Sequence, residues 1–170
     1  DEQKKLVYAT KSGWVLENGA LTGNDNPNAD PEILVAIGEL ATSIGAADIT
    51  EIEFITTAFD KSDGGTLQVR VRFNEEVDVT GTPQLTVVND SRANHTLSYA
   101  SGTGSNELVF SLTIAAGGGG VIADGDELSI GANATALNGG TIKDKGTSTV
   151  STITNAASIG TAAGTITATS

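Results

Sequence analysis

The chain has 170 residues, enough for one domain plus an extension and enough to bury a core without covalent staples. It carries 21 acidic against 9 basic residues, a formal charge of −12, which argues against binding a nucleic-acid backbone, a task for clustered Lys and Arg. It has no Cys, so neither a disulfide framework nor a thiolate metal site is available, and no run of ~18 apolar residues to cross a bilayer.

The absence of Met and the start at Asp1 point to cutting from a longer precursor or to a start upstream of Asp1. The opening residues lack the apolar core of a secretory signal. Gly accounts for 21 residues and aromatics for only 4%, the makeup of short strands joined by tight turns rather than of a helical bundle.

Residues 1–50 read as an N-terminal arm. Leu6 to Thr10 alternate, and Trp14-Val15-Leu16 follow, giving a short strand pair. The stretch 23–31 is rich in turn formers. Asp30, Pro31 and Glu32 then suit the cap, first position and first turn of a helix. Ile33, Leu34, Ile37, Leu40, Ala41 and Ile44 recur at three-and-four spacing, which predicts one helix over about 31–44. Gly38 weakens that helix and Gly45 ends it.

Residues 51–148 read as strand after strand. Ile52, Phe54 and Thr56 begin the set. Leu67, Val69, Val71 and Phe73 alternate with Gln68, Arg70 and Arg72. Leu85 with Val87, Leu97 with Tyr99, Leu108 to Ile114, and Leu128 with Ile130 follow, separated by Gly-, Asn- and Asp-rich turns. Short strands at this spacing predict a mostly β sandwich or barrel of antiparallel strands. The tail, 149–170, holds strand-like runs at 149–154 and 164–169. It reads as an edge strand of its own sheet or one lent to a neighbour.

The stretch VRVRFNEEVDVTGTPQLTVVN at 69–89 resembles the opening of bacterial immunoglobulin-like repeats of large surface proteins. SYASGTGSNELVFSLTIAAG at 98–117 and GDELSIGANATALNGGTIKDKG at 125–146 continue the same order. Asn74 stands where Ser or Thr is more usual, and Gly117 to Gly120 replace a more charged turn. The resemblance implies an immunoglobulin-like antiparallel β-sandwich. Residues 1–50 are not a second copy. An arm, one helix and a single such domain are similar in layout to capsid decoration proteins of tailed phages. That likeness implies a non-enzymatic virion structural protein at the virion surface. Its partners would be the major capsid protein or other virion subunits, and further copies of itself, without nucleic acid or membrane. Leu6, Tyr8, Trp14 and Leu16 are then the expected partner-binding residues, while Trp14, the only Trp, also reads as an anchor of the arm on the chain's own sandwich. The other reading is a bacterial adhesin or surface-layer module, extracellular and bound to carbohydrate or another cell.

Catalytic patterns are wanting. His95 is the single His and reads as an exposed turn residue, without a nucleophile elbow in the chain. Glu75 and Glu76 are neighbours on a strand, so they point to opposite faces and do not converge as a glycosidase pair. Gly117 to Gly120 lack the Lys-Ser/Thr of a phosphate cradle. Calcium is the one cofactor with candidate ligands, the loop residues Asp60, Asp63, Asp124, Asp126, Glu127 and Asp144. Without a complete loop motif, these read as turn formers, and no cofactor is expected. Asn89, Asn94 and Asn133 each begin an N-x-S/T triplet.

Overall fold

The structure is a computed structural model that describes residues 7–10, 13–16, 32–36 and 46–170. The chain divides into two compact units, Asp1–Ile44 and Gly45–Ser170.

In the first unit, β1 (Val7–Thr10), β2 (Gly13–Leu16) and β3 (Glu32–Ala36) form a three-stranded antiparallel sheet in that order. The expected strand pair is there, with Tyr8 opposite Val15 and Ala9 opposite Trp14. The expected helix over 31–44 is corrected: Glu32–Ala36 is a strand, pairing Val35 with Trp14 and Ile33 with Val15. Ile33-Leu34-Val35 is a contiguous apolar run with two β-branched members, which fits a strand at least as well as a helix face. Residues 37–44, the remainder of that helix, lie outside the described residues.

The second unit is mostly β. Its strands are β4 (Ile49–Phe54), β5 (Phe59–Asp60), β6 (Gly65–Thr80), β7 (Gln84–Asn89), β8 (His95–Ser101), β9 (Ser105–Ile114), β10 (Glu127–Ser129), β11 (Thr135–Ala136), β12 (Thr141–Asp144) and β13 (Ile166–Thr169). They form one ten-stranded sheet, curled into a half-barrel. The main path runs β12-β6-β9-β8-β7-β10-β13-β5, with β4 beside β6 and β11 beside β7. The sheet is mixed rather than wholly antiparallel, because β13 runs parallel to β5. The tail thus supplies an interior strand of its own chain's sheet, between β10 and β5. It also supplies a six-residue helix, α1 (Ala157–Ala162), which sequence patterning did not indicate. The unit begins a few residues before the expected boundary at 51, since Ala47 and Ile49 are already core.

The spine is β6, sixteen residues long. Its first half lies between β4 and β9. After a register break between Arg72 and Val77, its second half pairs with β12. Leu67, Val69, Val71, Phe73 and Val77 all point inward and are fully buried. They meet Leu85, Val87, Leu97, Leu108, Phe110, Leu128 and Ile142 from the facing strands. Burying each such side chain contributes about 1.5–3 kcal/mol. Phe110 takes Tyr99 edge-on at 6.1 Å.

The outer face of β6 is polar. Arg70 lies opposite Glu53, and Arg72 lies between Glu51 on β4 and Glu107 on β9. Arg70 Nε donates to Glu53 Oε1 at 2.7 Å, and Arg72 Nη2 lies 2.8 Å from Glu107 Oε1. The Arg72 hydrogen bond, with Arg70 behind it, holds Glu107 below the usual carboxylate range. These side chains are about one-third exposed, so solvent screens the ladder and each pair adds only ~0.2–1 kcal/mol. No helix of the described residues is long and apolar enough to cross a membrane.

Candidate functional site

Among the described residues, a dense cluster of buried polar groups lies where β7 hands over to β8. Asn89 ends β7, Asp90 to Asn94 turn the chain, His95 opens β8, and Asp126 arrives just ahead of β10. Asn89, His95 and Asp126 are all buried. Asn89 Oδ1 accepts the N–H groups of Ser91 and Arg92, both at 3.0 Å, which closes the turn. Its orientation is therefore fixed, and its Nδ2 must donate. One Nδ2 contact is Asp126 Oδ2 at 2.9 Å and the other is His95 Nε2 at 3.5 Å.

Asp126 collects further donors. Ser91 Oγ reaches its Oδ1 at 2.7 Å. Ala123 N–H and Arg92 Nε reach its Oδ2 at 2.9 and 3.1 Å. The hydrogen bond from Asn89, then that from Ser91, hold its carboxyl down to about 2. Burial pushes His95 below its ordinary value, against a smaller upward pull from Asp126. A neutral imidazole suits the geometry: Nε2 faces a donor, so its lone pair must lie there and the proton sits on Nδ1.

Ser91, His95 and Asp126 bring a hydroxyl, an imidazole and a carboxylate within one cluster, yet the wiring does not activate a nucleophile. Ser91 gives its proton to Asp126, and His95 faces the Asn89 amide. Nucleophilic catalysis needs the hydroxyl on the imidazole and the imidazole on the carboxylate. The arrangement instead fixes the turn between β7 and β8 and clamps it to the approach of β10.

Beside the cluster a cavity of about 440 Å³ opens between the start of β8 and the end of β9, with Gly119, Gly120 and Val121 at its rim. Its size is that of ordinary ligand pockets.

Compared with protein-family models, curated proteins and solved structures, the chain matches none.

Of the four expected partner-binding residues, Leu6 lies outside the described residues. Tyr8 is on β1, and Trp14 and Leu16 are on β2, so the backbone gathers these three into one small sheet. The loop acids do not converge: no group of three or more His, Asp or Glu suited to a metal occurs among the described residues. Asp60 accepts the Ser62 N–H at 2.7 Å, and Asp144 accepts the Thr147 hydroxyl at 2.7 Å, each closing its own turn. Asp63, Asp124 and Glu127 are exposed. Glu75 and Glu76 diverge: Glu76 binds Lys145 Nζ at 2.7 Å, while Glu75 bonds toward Asp144. His95 is corrected from an exposed turn residue to a buried strand residue, 4% exposed. The inward alternation His95, Leu97 was its available signal. Nothing local linked Asn89 to Asp126, 37 positions apart.

Proposed function

We propose that the chain is a non-enzymatic virion structural protein of a tailed phage, a decoration protein that binds the capsid shell and neighbouring copies of itself. The observation that carries this reading is the division of the chain into two compact units. The second has an apolar core of its own running from Ala47 to Ala168. The first is a small β1–β3 sheet whose strands carry Tyr8, Trp14 and Leu16, and it is the proposed contact with a partner. Trp and Tyr are the side chains that most often anchor such contacts. The order of motifs across β6 to β12 supports a divergent immunoglobulin-like module as the outward body. Weak contacts repeated by shell symmetry then sum through avidity, so no single deep site is needed. The surplus of negative charge keeps the free copies soluble and apart until they meet the shell.

The test is cosedimentation with tailed-phage heads that lack their decoration protein. The full chain should pellet with the heads and saturate, and residues 46–170 should stay in the supernatant. Pelleting of neither, together with binding of the full chain to bacterial cells or glycans, would favour the surface-module reading instead.

A further inference from the structure

The cavity between β8 and β9 is an interruption in the sheet. The β8–β9 ladder ends at Ser98 opposite Ser111. Yet β8 continues back to His95 against β7, and β9 continues to Ile114 against β6. Were the register to continue, Leu97 would face Leu112, Thr96 would face Thr113 and His95 would face Ile114. Thr96, His95, Leu112, Thr113 and Ile114 instead line an open wedge.

Backbone parity shows what the wedge exposes. Thr86 N–H donates to Ala134 O, away from β8, so Leu85 and Val87 carry the bonds from β7 to Leu97 and His95. Tyr99 N–H, donating to Pro83 O, keeps the same parity. Thr96 therefore turns its N–H and C=O away from β7, toward β9. Ser111 bonds to Ser98, so two residues on Thr113 turns its N–H and C=O toward β8. Thr96 and Thr113 thus turn their backbone donors and acceptors toward each other past the last pair of the ladder, where the wedge opens. Such groups are a template for an added strand.

The side chains define what fits. Buried His95 and Ile114 with half-buried Leu112 make an apolar floor, while exposed Thr96 and Thr113 flank the outer side. Alternate residues of an inserted strand would meet these two surfaces. At the rim, Gly119 and Gly120 both have positive φ, with open space where a Cβ of either would sit. Side chains there would be strained and would narrow the mouth. Arg92 also lines the wedge: its Nε is tied to Asp126 and its side chain is 43% exposed, which places a cation at the mouth.

We infer that the open end of the β8–β9 ladder is a docking slot for an extended peptide segment, apolar where it faces inward and bearing a carboxylate at the end that reaches Arg92. Its backbone completes the ladder between Thr96 and Thr113. This site is built from residues of the second unit and does not rest on the virion reading.

The probe is the peptide acetyl-Val-Thr-Val-Thr-Asp, titrated into the ¹⁵N-labelled full chain. The amides of Thr96 and Thr113 should shift saturably. The same peptide N-methylated on its two Thr residues should bind about tenfold more weakly or worse, because main-chain bonds carry the affinity. An Asn-amide version should also bind more weakly, and Arg92→Gln should erase that difference. No saturable shift at millimolar peptide, shifts confined to the outer edge strands β5 or β12, or equal binding of the N-methylated peptide would overturn the slot. Equal binding of acidic and neutral peptides would overturn the role of the carboxylate. The peptide variants leave the protein untouched, so the test holds even if Arg92→Gln unfolds.

Discussion

Asn89→Ala should lower the unfolding free energy by about 3–5 kcal/mol, read from urea denaturation followed by far-UV circular dichroism. The change removes four contacts at once. The N–H groups of Ser91 and Arg92 lose their acceptor, buried Asp126 loses its leading donor, and His95 loses the group facing Nε2. A simple cavity of that size would cost far less than taking partners from several polar groups of one buried cluster, even though Asp126 keeps Ser91, Ala123 and Arg92. Asn89→Asp separates bonding from shape. It keeps an acceptor for the two N–H groups but sets a second carboxylate against Asp126. It should be well below wild type at pH 7, with the gap narrowing toward pH 4 as the new carboxyl protonates.

The wild type has its own dependence on pH. His95 is depressed in the folded state, so its contribution is complete above its ordinary value near 6.5 and is lost as pH falls through and below that value. Asp126 is depressed to about 2, so its contribution is complete above the unfolded value near 3.8 and is lost between there and about 2. Stability should therefore fall in two acid steps, and Asn89→Ala should blunt the lower one. A loss below about 1 kcal/mol in Asn89→Ala would show that the cluster is not what holds this turn.

Gly102→Ala should be the most damaging glycine-to-alanine change among the described residues, costing about 3 kcal/mol or more. Gly102 sits in the turn from β8 to β9 at φ +115°, a conformation that side chains rarely adopt. A Cβ there would lie 2.0 Å from Glu107 O, an atom of the β9 backbone that cannot swing aside. Ser105 Oγ bonds both Gly102 O and Glu107 O, at 2.8 and 3.0 Å, so the turn has little freedom to relax. The variant should melt early, with amide shifts spreading along β8 and β9. Gly104→Ala is the control. It too has positive φ, but a Cβ would meet nothing within 4 Å, so only the smaller backbone strain of about 1–2 kcal/mol applies. Equal melting of the two variants would show that the close approach to Glu107 is not decisive.

The strands that were legible in the sequence are those with one buried face. Leu67 to Phe73 and Leu108 to Ile114 alternate because the curled sheet buries every second residue, and their period is a direct trace of that burial. β5 and β11 have two residues each, too few to show a period. In the tail, Ala157–Ala162 offers small side chains that suit helix or turn equally, and Ile159 packing on the core decides the outcome. At Ile33-Leu34-Val35 the three-and-four spacing and the contiguous run compete, and pairing with β2 selects the strand. Divergence of Glu75 and Glu76 followed from strand geometry alone. The Asn89–His95–Asp126 cluster did not, because it depends on long-range pairing of β7 with β10. The wedge was equally hidden: it arises where two strands follow different neighbours, which no local pattern records.

The proposed decoration role requires a second unit that folds alone and a first unit that makes the contacts. Light scattering of the full chain and of residues 46–170, at matched concentrations, tests this most directly. We expect a closed oligomer for the full chain and a folded monomer for 46–170, with the β-sheet circular dichroism retained. Two monomers, or a 46–170 fragment that fails to fold, would contradict it.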